Sequence, residues 1–207
     1  AVAVPLKKAT DEKRLIVANK GPITGLGEGW WVSPYTAKKH NLKTAADVIA
    51  RPDLFPHPED KSKGAFVGCP AGWGCQLVNQ NLFRAYEMDK KGWLLVDPGS
   101  AAGLDASLNK SLTRGENWFG YYWSPTTLIG KHNLAKVDFG VPFAGKDHWD
   151  NCIVKPEKEC ASPKKSAWTT SEVNTVVTSN FKKNAGVALD YISGRAYPGS
   201  IMNKMLV

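Results

Sequence analysis

The chain has 207 residues, of which 43% are hydrophobic and 22% charged, with a formal net charge of +8. That length and balance predict one compact unit with a sizeable core, and no run approaches the ~20 apolar residues that a membrane span needs. The positive charge invites a nucleic-acid reading, but the lysines stand in short scattered pairs (7–8, 38–39, 90–91, 164–165, 182–183) with acids between them. No helix-turn-helix or RNA-binding signature accompanies them, which argues against nucleic acid as a partner.

The sequence opens with neither Met nor a charged-then-apolar leader, so a mature or trimmed product is expected. Residues 15–33 (LIVANKGPITGLGEGWWVS) predict strands broken by turns at Gly21-Pro22 and Gly25 to Gly29. Thr44 is expected to cap a helix carrying Ala45, Val48 and Ile49, which Arg51-Pro52 ends. A strand over 65–67 leads into GCPAGWGC, and Leu77, Val78, Leu82, Ala85 and Tyr86 then mark one face of a helix. The glycine-rich loop therefore delivers a helix N-terminus.

Residues 93–96 predict a strand, and Ser100 the cap of a helix carrying Ala101, Leu104, Leu108 and Leu112, with Gly115 at its end. The run NWFGYYW (117–123) suits a buried strand, with Ser124 as cap and Pro125 in the first turn of the next helix. Further strands are expected over 137–141 and 174–179, with a charged loop over 152–160 between them. Two helical stretches close the chain, around Ala185, Ala188, Leu189 and Ile192 and around Ile201, Met202, Met205 and Leu206, the last with an apolar stripe that wants a partner. Alternating strands and helices predict an α/β fold.

Four cysteines form two close pairs, Cys69 with Cys75 and Cys152 with Cys160, a spacing that suits two local disulfide-closed loops and an oxidising compartment. Neither pair has the two-residue gap of a redox motif. Zinc would need all four thiolates from separated segments or histidine help, and His40, His57, His132 and His148 show no ligand spacing, so no metal and no cofactor is expected.

Eight tryptophans are many for this length, and two of them, Trp73 in GWGC and Trp123 in YYWSP, fall where a strand end meets a helix start. Open α/β sheets bind ligands at such edges. Indole faces attract a quaternary ammonium, at about 0.5 to 2 kcal/mol per contact when water is excluded. With an ammonium held there, the backbone N–H groups of Gly74 and Cys75 are placed for a carboxylate. The alternative from composition alone is that both are structural tryptophans. Trp30, Trp31, Tyr121 and Tyr122 could supply extra wall but are expected mostly in the core, with Tyr122 turned away from the face that Tyr121 and Trp123 share. Trp93, Trp118, Trp149 and Trp168 are expected in core or loop packing.

The segments GCPAGWGCQLVNQNLFRAYE and ENWFGYYWSPT resemble the signature segments of the OpuAC-type glycine betaine-binding proteins of ABC importers, and a looser likeness runs from about Gly27 to the C-terminus. The resemblance implies a type II periplasmic-binding-protein-like lobe with a mixed central sheet flanked by helices. Trp73 and Trp123 would be cage walls, Gly74 and Cys75 would bind the carboxylate through backbone N–H, and a Cys69–Cys75 disulfide would shape the binding loop. Most of the family's first lobe has no counterpart. Residues of about 15–180 are expected to be mainly the second lobe, and 181–207 a helical return segment, within one domain over 1–207.

The expected function is that of an extracytoplasmic or periplasmic receptor, not an enzyme, which captures glycine betaine and delivers it to an ABC permease. The alternatives are a lobe for choline, carnitine, proline betaine or a sulfonium osmolyte, and a structural lobe that binds only when completed. An enzyme needs paired catalytic groups, and Asp150, Glu157 and His148 are isolated candidates in a loop.

Overall fold

The structure is a computed structural model and describes residues 3–169 and 173–207. In chain order its elements are α1 (Ala3–Asp11), β1 (Leu15–Lys20), β2 (Ile23–Thr24), β3 (Gly27–Val32), α2 (Pro34–His40), α3 (Ala45–Ile49), β4 (Gly64–Val67), α4 (Gly74–Ala85), β5 (Trp93–Val96) and α5 (Ala101–Thr113). There follow β6 (Phe119–Ser124), α6 (Thr127–His132), β7 (Ala135–Lys136), α7 (Lys146–His148), β8 (Asn174–Thr178), α8 (Ser179–Asn184), α9 (Val187–Gly194), β9 (Tyr197–Pro198) and α10 (Gly199–Met205). Among the described residues no helix is long and apolar enough to cross a membrane.

Five strands form a mixed sheet in the order β5-β4-β6-β3-β7. β4 runs parallel to β5 and β6, whereas β3 runs antiparallel to β6 and β7. Side chains alternate across the strands: Trp30, Val32 and Phe66 enter one apolar core, Trp31 and Val67 the other. The first core is closed by Val48 and Ile49 of α3 and Val78, Leu82 and Phe83 of α4, the second by Leu104 and Leu108 of α5 and Ile129 of α6. This is the expected α/β arrangement of a mixed central sheet flanked by helices.

Local chemistry explains the helix starts. Thr44 and Asp47 form a reciprocal capping box at α3, Oγ1 of Thr44 accepting from the Asp47 N–H and the Asp47 carboxylate from the Thr44 N–H. Ser100 caps α5 by accepting from the Gly103 N–H at 3.0 Å. Several buried indoles have a fixed acceptor: Trp93 donates to the Ile49 carbonyl, Trp31 to the Tyr122 carbonyl and Trp118 to Ser107 Oγ.

Three expectations need correction. Ser124 ends β6 and caps nothing; the cap of α6 is Thr126, whose hydroxyl accepts from the Ile129 N–H. Residues 137–141 form no strand: β7 stops at Lys136, the Val137 N–H still donates to the Trp30 carbonyl at 2.9 Å, and Asp138 then bonds to Lys43 and makes an isolated bridge to Thr44. Ser179, expected to end the strand over 174–179, instead opens α8 under the Thr178 cap, at the head of the helical segment expected over 181–207. The last helix meets α6 through Asn203, whose Oδ1 accepts from the Thr126 N–H at 3.1 Å, while Ile201, Met205 and Leu206 of its apolar stripe stay exposed, in line with the expected want of a partner.

β1 and β8 form a separate antiparallel pair with an irregularity between Val17 and Asn19, apart from the five-stranded sheet. The α9 residues Val187 and Tyr191 are exposed.

Candidate functional site

β4 and β6 lie side by side and parallel, but the chain leaves them in opposite directions: from β4 through α4 to β5, and from β6 through α6 to β7. Such a switch point opens a crevice at the carboxyl ends of the two strands. Trp73 follows β4 and Trp123 lies near the end of β6, so the topology brings the two together.

A disulfide joins Cys69 to Cys75 and folds the GCPAGWGC loop onto the start of α4. Trp73 takes the N-cap position in extended backbone and is 40% exposed, while Trp123 is half-buried. Their ring centroids are 5.8 Å apart with the planes at 58°. The start of α4 is pinned by Asn79, which donates to the Cys75 carbonyl at 2.9 Å and accepts from the Trp30 indole N–H at 2.9 Å, both bonds buried. The Gln76 N–H turns back to the Trp73 carbonyl, whereas among the described residues the Gly74 and Cys75 N–H groups meet no acceptor. Free N–H groups at a helix start carry the positive end of its dipole. The second disulfide, Cys152–Cys160, closes the charged loop, and among the described residues no cysteine is free.

The aromatic wall extends past the two expected tryptophans. Tyr121 lies 6.2 Å from Trp123, Trp168 lies 5.5 Å from Tyr121, and Trp149 meets Trp168 edge to face at 5.9 Å. These five rings line a cleft of about 920 Å³ together with Glu28, Gly74, Cys75 and Asp150. Trp149 and Trp168, expected in core or loop packing, are therefore cleft residues as well as core contacts. Trp30, Trp31, Tyr121 and Tyr122 are buried as expected, although the Tyr122 ring stacks on Trp123 at 4.6 Å and does not point cleanly away. Its hydroxyl donates to Asp105 Oδ1 on α5 at 2.6 Å, and the ring does not line the cleft.

Two acids border the cleft. Asp150 pairs with Lys146. Glu28 sits directly opposite Trp123 in the β3–β6 register, accepts a hydrogen bond from the Tyr121 hydroxyl at 3.1 Å and makes no ion pair among the described residues. Burial raises its carboxyl above the ordinary glutamate range, against the lowering pull of the Tyr121 bond. Burial and the adjoining Glu28 push the Tyr121 hydroxyl well up, so it remains a donor. Among the described residues no group of three or more His, Cys, Asp or Glu is arranged to hold a metal.

The arrangement suits a small ligand with an apolar cationic head, which the ring faces attract through their quadrupoles, and an anionic end that the α4 N–H groups can receive. The sequence carries one usable signal for Tyr121, the period-two alternation that aligns it with Trp123. Trp149 opens a short π-helical turn (Trp149–Ile153) after α7, Trp168 stands in a loop, and Glu28 enters through strand register, so none of the three has a local signal.

A family model described as the substrate binding domain of ABC-type glycine betaine transport systems matches residues 3–206. The glycine betaine/proline betaine-binding periplasmic proteins of Salmonella typhimurium and Escherichia coli are each 26% identical over 128 residues, 59% of this chain and 37% of theirs. A choline-binding protein of an ABC transporter, solved with choline, superposes with a TM-score of 0.52 at 12% identity over 99% of this chain and 61% of that one. Lactococcal OpuAC, closed on glycine betaine, does so with a TM-score of 0.51 at 17% identity over 98% and 63%. These two likenesses establish a periplasmic-binding-protein fold, and the chain spans little more than a third of the length of the periplasmic relatives and about 60% of the two solved structures. With nearly its whole length matched, the chain belongs to the family of substrate binding domains of ABC-type glycine betaine transport systems.

Proposed function

We propose that the chain is the ligand-binding lobe of an extracytoplasmic receptor that captures glycine betaine or a close quaternary-ammonium relative and delivers it to an ABC permease. The observation that carries this reading is the pair of indoles, Trp73 and Trp123, set 5.8 Å apart beside the N–H groups of Gly74 and Cys75, which meet no acceptor among the described residues. The rings supply cation–π attraction for the ammonium, and the helix start receives the carboxylate. Two disulfides agree with an oxidising compartment. The protein binds and releases its ligand unchanged and is not an enzyme.

In this reading residues of about 15–180 are mainly the second lobe and 181–207 a return segment. The outward apolar residues Val187, Tyr191, Ile201 and Met205 of the return segment support that division.

The test is calorimetric titration of the chain with glycine betaine, choline and proline. Saturable heat with the ammonium ligands and none with proline is expected. No saturable heat with either ammonium ligand at millimolar concentration would overturn the reading.

A further inference from the structure

The cleft contains a charge that a site for a zwitterion does not need. Glu28 and Trp123 are cross-strand partners, and side chains in such a pair stand about 5 Å apart at Cβ on the same face. Tyr121, the diagonal neighbour on that face, fixes the carboxyl by its hydroxyl at 3.1 Å. Glu28 thus lines the cleft beside the aromatic wall, with no ion-pair partner among the described residues. Asp150, the other acid at the rim, is neutralised by Lys146.

We propose that Glu28 is a specificity-determining residue: its carboxylate, held beside Trp123 by the Tyr121 hydroxyl, favours quaternary-ammonium ligands of net positive charge, the choline class, over zwitterions that bring a carboxylate of their own. The inference rests on the reading of the cleft as a quaternary-ammonium site. A choline-like cation gains attraction from Glu28 in addition to the ring faces. A betaine gains the same at its head but meets repulsion at its acid end, so the two effects offset. Burial raises this carboxyl, and an acid so perturbed inside a cleft is a candidate functional group.

A purely structural bond between Glu28 and Tyr121 makes a different forecast, since its loss would disturb both ligands alike. Glu28→Gln keeps the shape and an acceptor for Tyr121 while removing the charge. Titration of the full chain, native and E28Q, with choline and with glycine betaine reads the difference. The expected result is about a tenfold rise in the choline Kd with less than about a threefold change for betaine, the scale of one charge acting across a cleft of intermediate dielectric. Glu28→Asp, which retains the charge, keeps the choline preference.

Equal weakening of both ligands, no change in either, or an E28D variant that behaves like E28Q would each overturn the inference while leaving the ammonium site standing. A native chain that binds neither ligand removes the underlying reading, and this inference with it.

Discussion

Trp73, which caps α4, and Trp123, near the end of β6, hold their rings 5.8 Å apart although fifty residues of chain separate them. Their surroundings differ. Trp73 is 40% exposed, whereas Trp123 stacks on Tyr122 and adjoins Tyr121. Replacement of Trp73 by Ala is therefore expected to cost about 1 to 2 kcal/mol of ligand affinity with little loss of stability. Trp123→Ala should cost similar affinity and more stability. Calorimetry and chemical denaturation of both variants check this, and a Trp73→Ala protein that unfolds as readily as Trp123→Ala would mark Trp73 as a core residue.

The Cys69–Cys75 disulfide closes a loop of six-residue separation that carries Trp73. In the chain-entropy account such a loop contributes about 2 kcal/mol through the unfolded state. The unreduced protein should show no free thiol by mass spectrometry. The Cys69→Ser, Cys75→Ser double variant should lose stability of that order and also ligand affinity, because Trp73 is no longer held over the cleft. Four alkylatable thiols in the native protein would remove the oxidising-compartment argument.

Glu28 links stability to pH in the opposite sense from a salt-bridged acid. Its carboxyl is raised in the folded protein, first by burial, so as pH rises the unfolded chain releases this proton before the folded one does. The stability that it contributes is present below the ordinary glutamate pKa and is lost as pH climbs through the higher folded value. Glu28→Gln has no such loss. The denaturation midpoint of E28Q is expected to gain on the native protein across that window and then to keep a constant lead. A lead that shrinks with rising pH would contradict the raised carboxyl.

Much of this was legible from local rules. The Thr44 and Ser100 caps, the strand-to-helix alternation and the placement of Trp73 and Trp123 at strand ends follow from residue type and spacing. Long-range register was not legible. Nothing near Trp168 in sequence says that it will meet Tyr121 at 5.5 Å, and Glu28 becomes a cleft residue only when β3 pairs with β6. Residues 137–141 have strand composition, yet after Val137 the backbone bonds of Asp138 go to the Lys43–Thr44 segment and not to β3. The helix start at Thr126 in place of Ser124 shows the same limit, since either side chain is chemically able to cap.

Gly120 sets how closely the two cleft-bearing strands approach. It is the β6 residue paired with Val67 of β4, and a Cβ at that position would meet the Val67 carbonyl oxygen at 2.5 Å and the Trp118 ring at 2.9 Å. Neither neighbour can easily yield, because one is backbone and the other is 3% exposed and bonded through its indole to Ser107 Oγ. Gly120→Ala is expected to cost about 2 to 4 kcal/mol of stability, in the range of a forced overpacking with backbone shift. Because β4 carries the loop of Trp73 and β6 carries Trp123, ligand affinity should fall with it, measured on the fraction that remains folded. Thr44→Ala is the control: it removes one cap from α3 at about 1 kcal/mol and, lying away from the cleft, should leave affinity unchanged. A Gly120→Ala protein with native stability would show that the strands can part at no cost, and that the spacing of the two indoles is not set by their backbone contact.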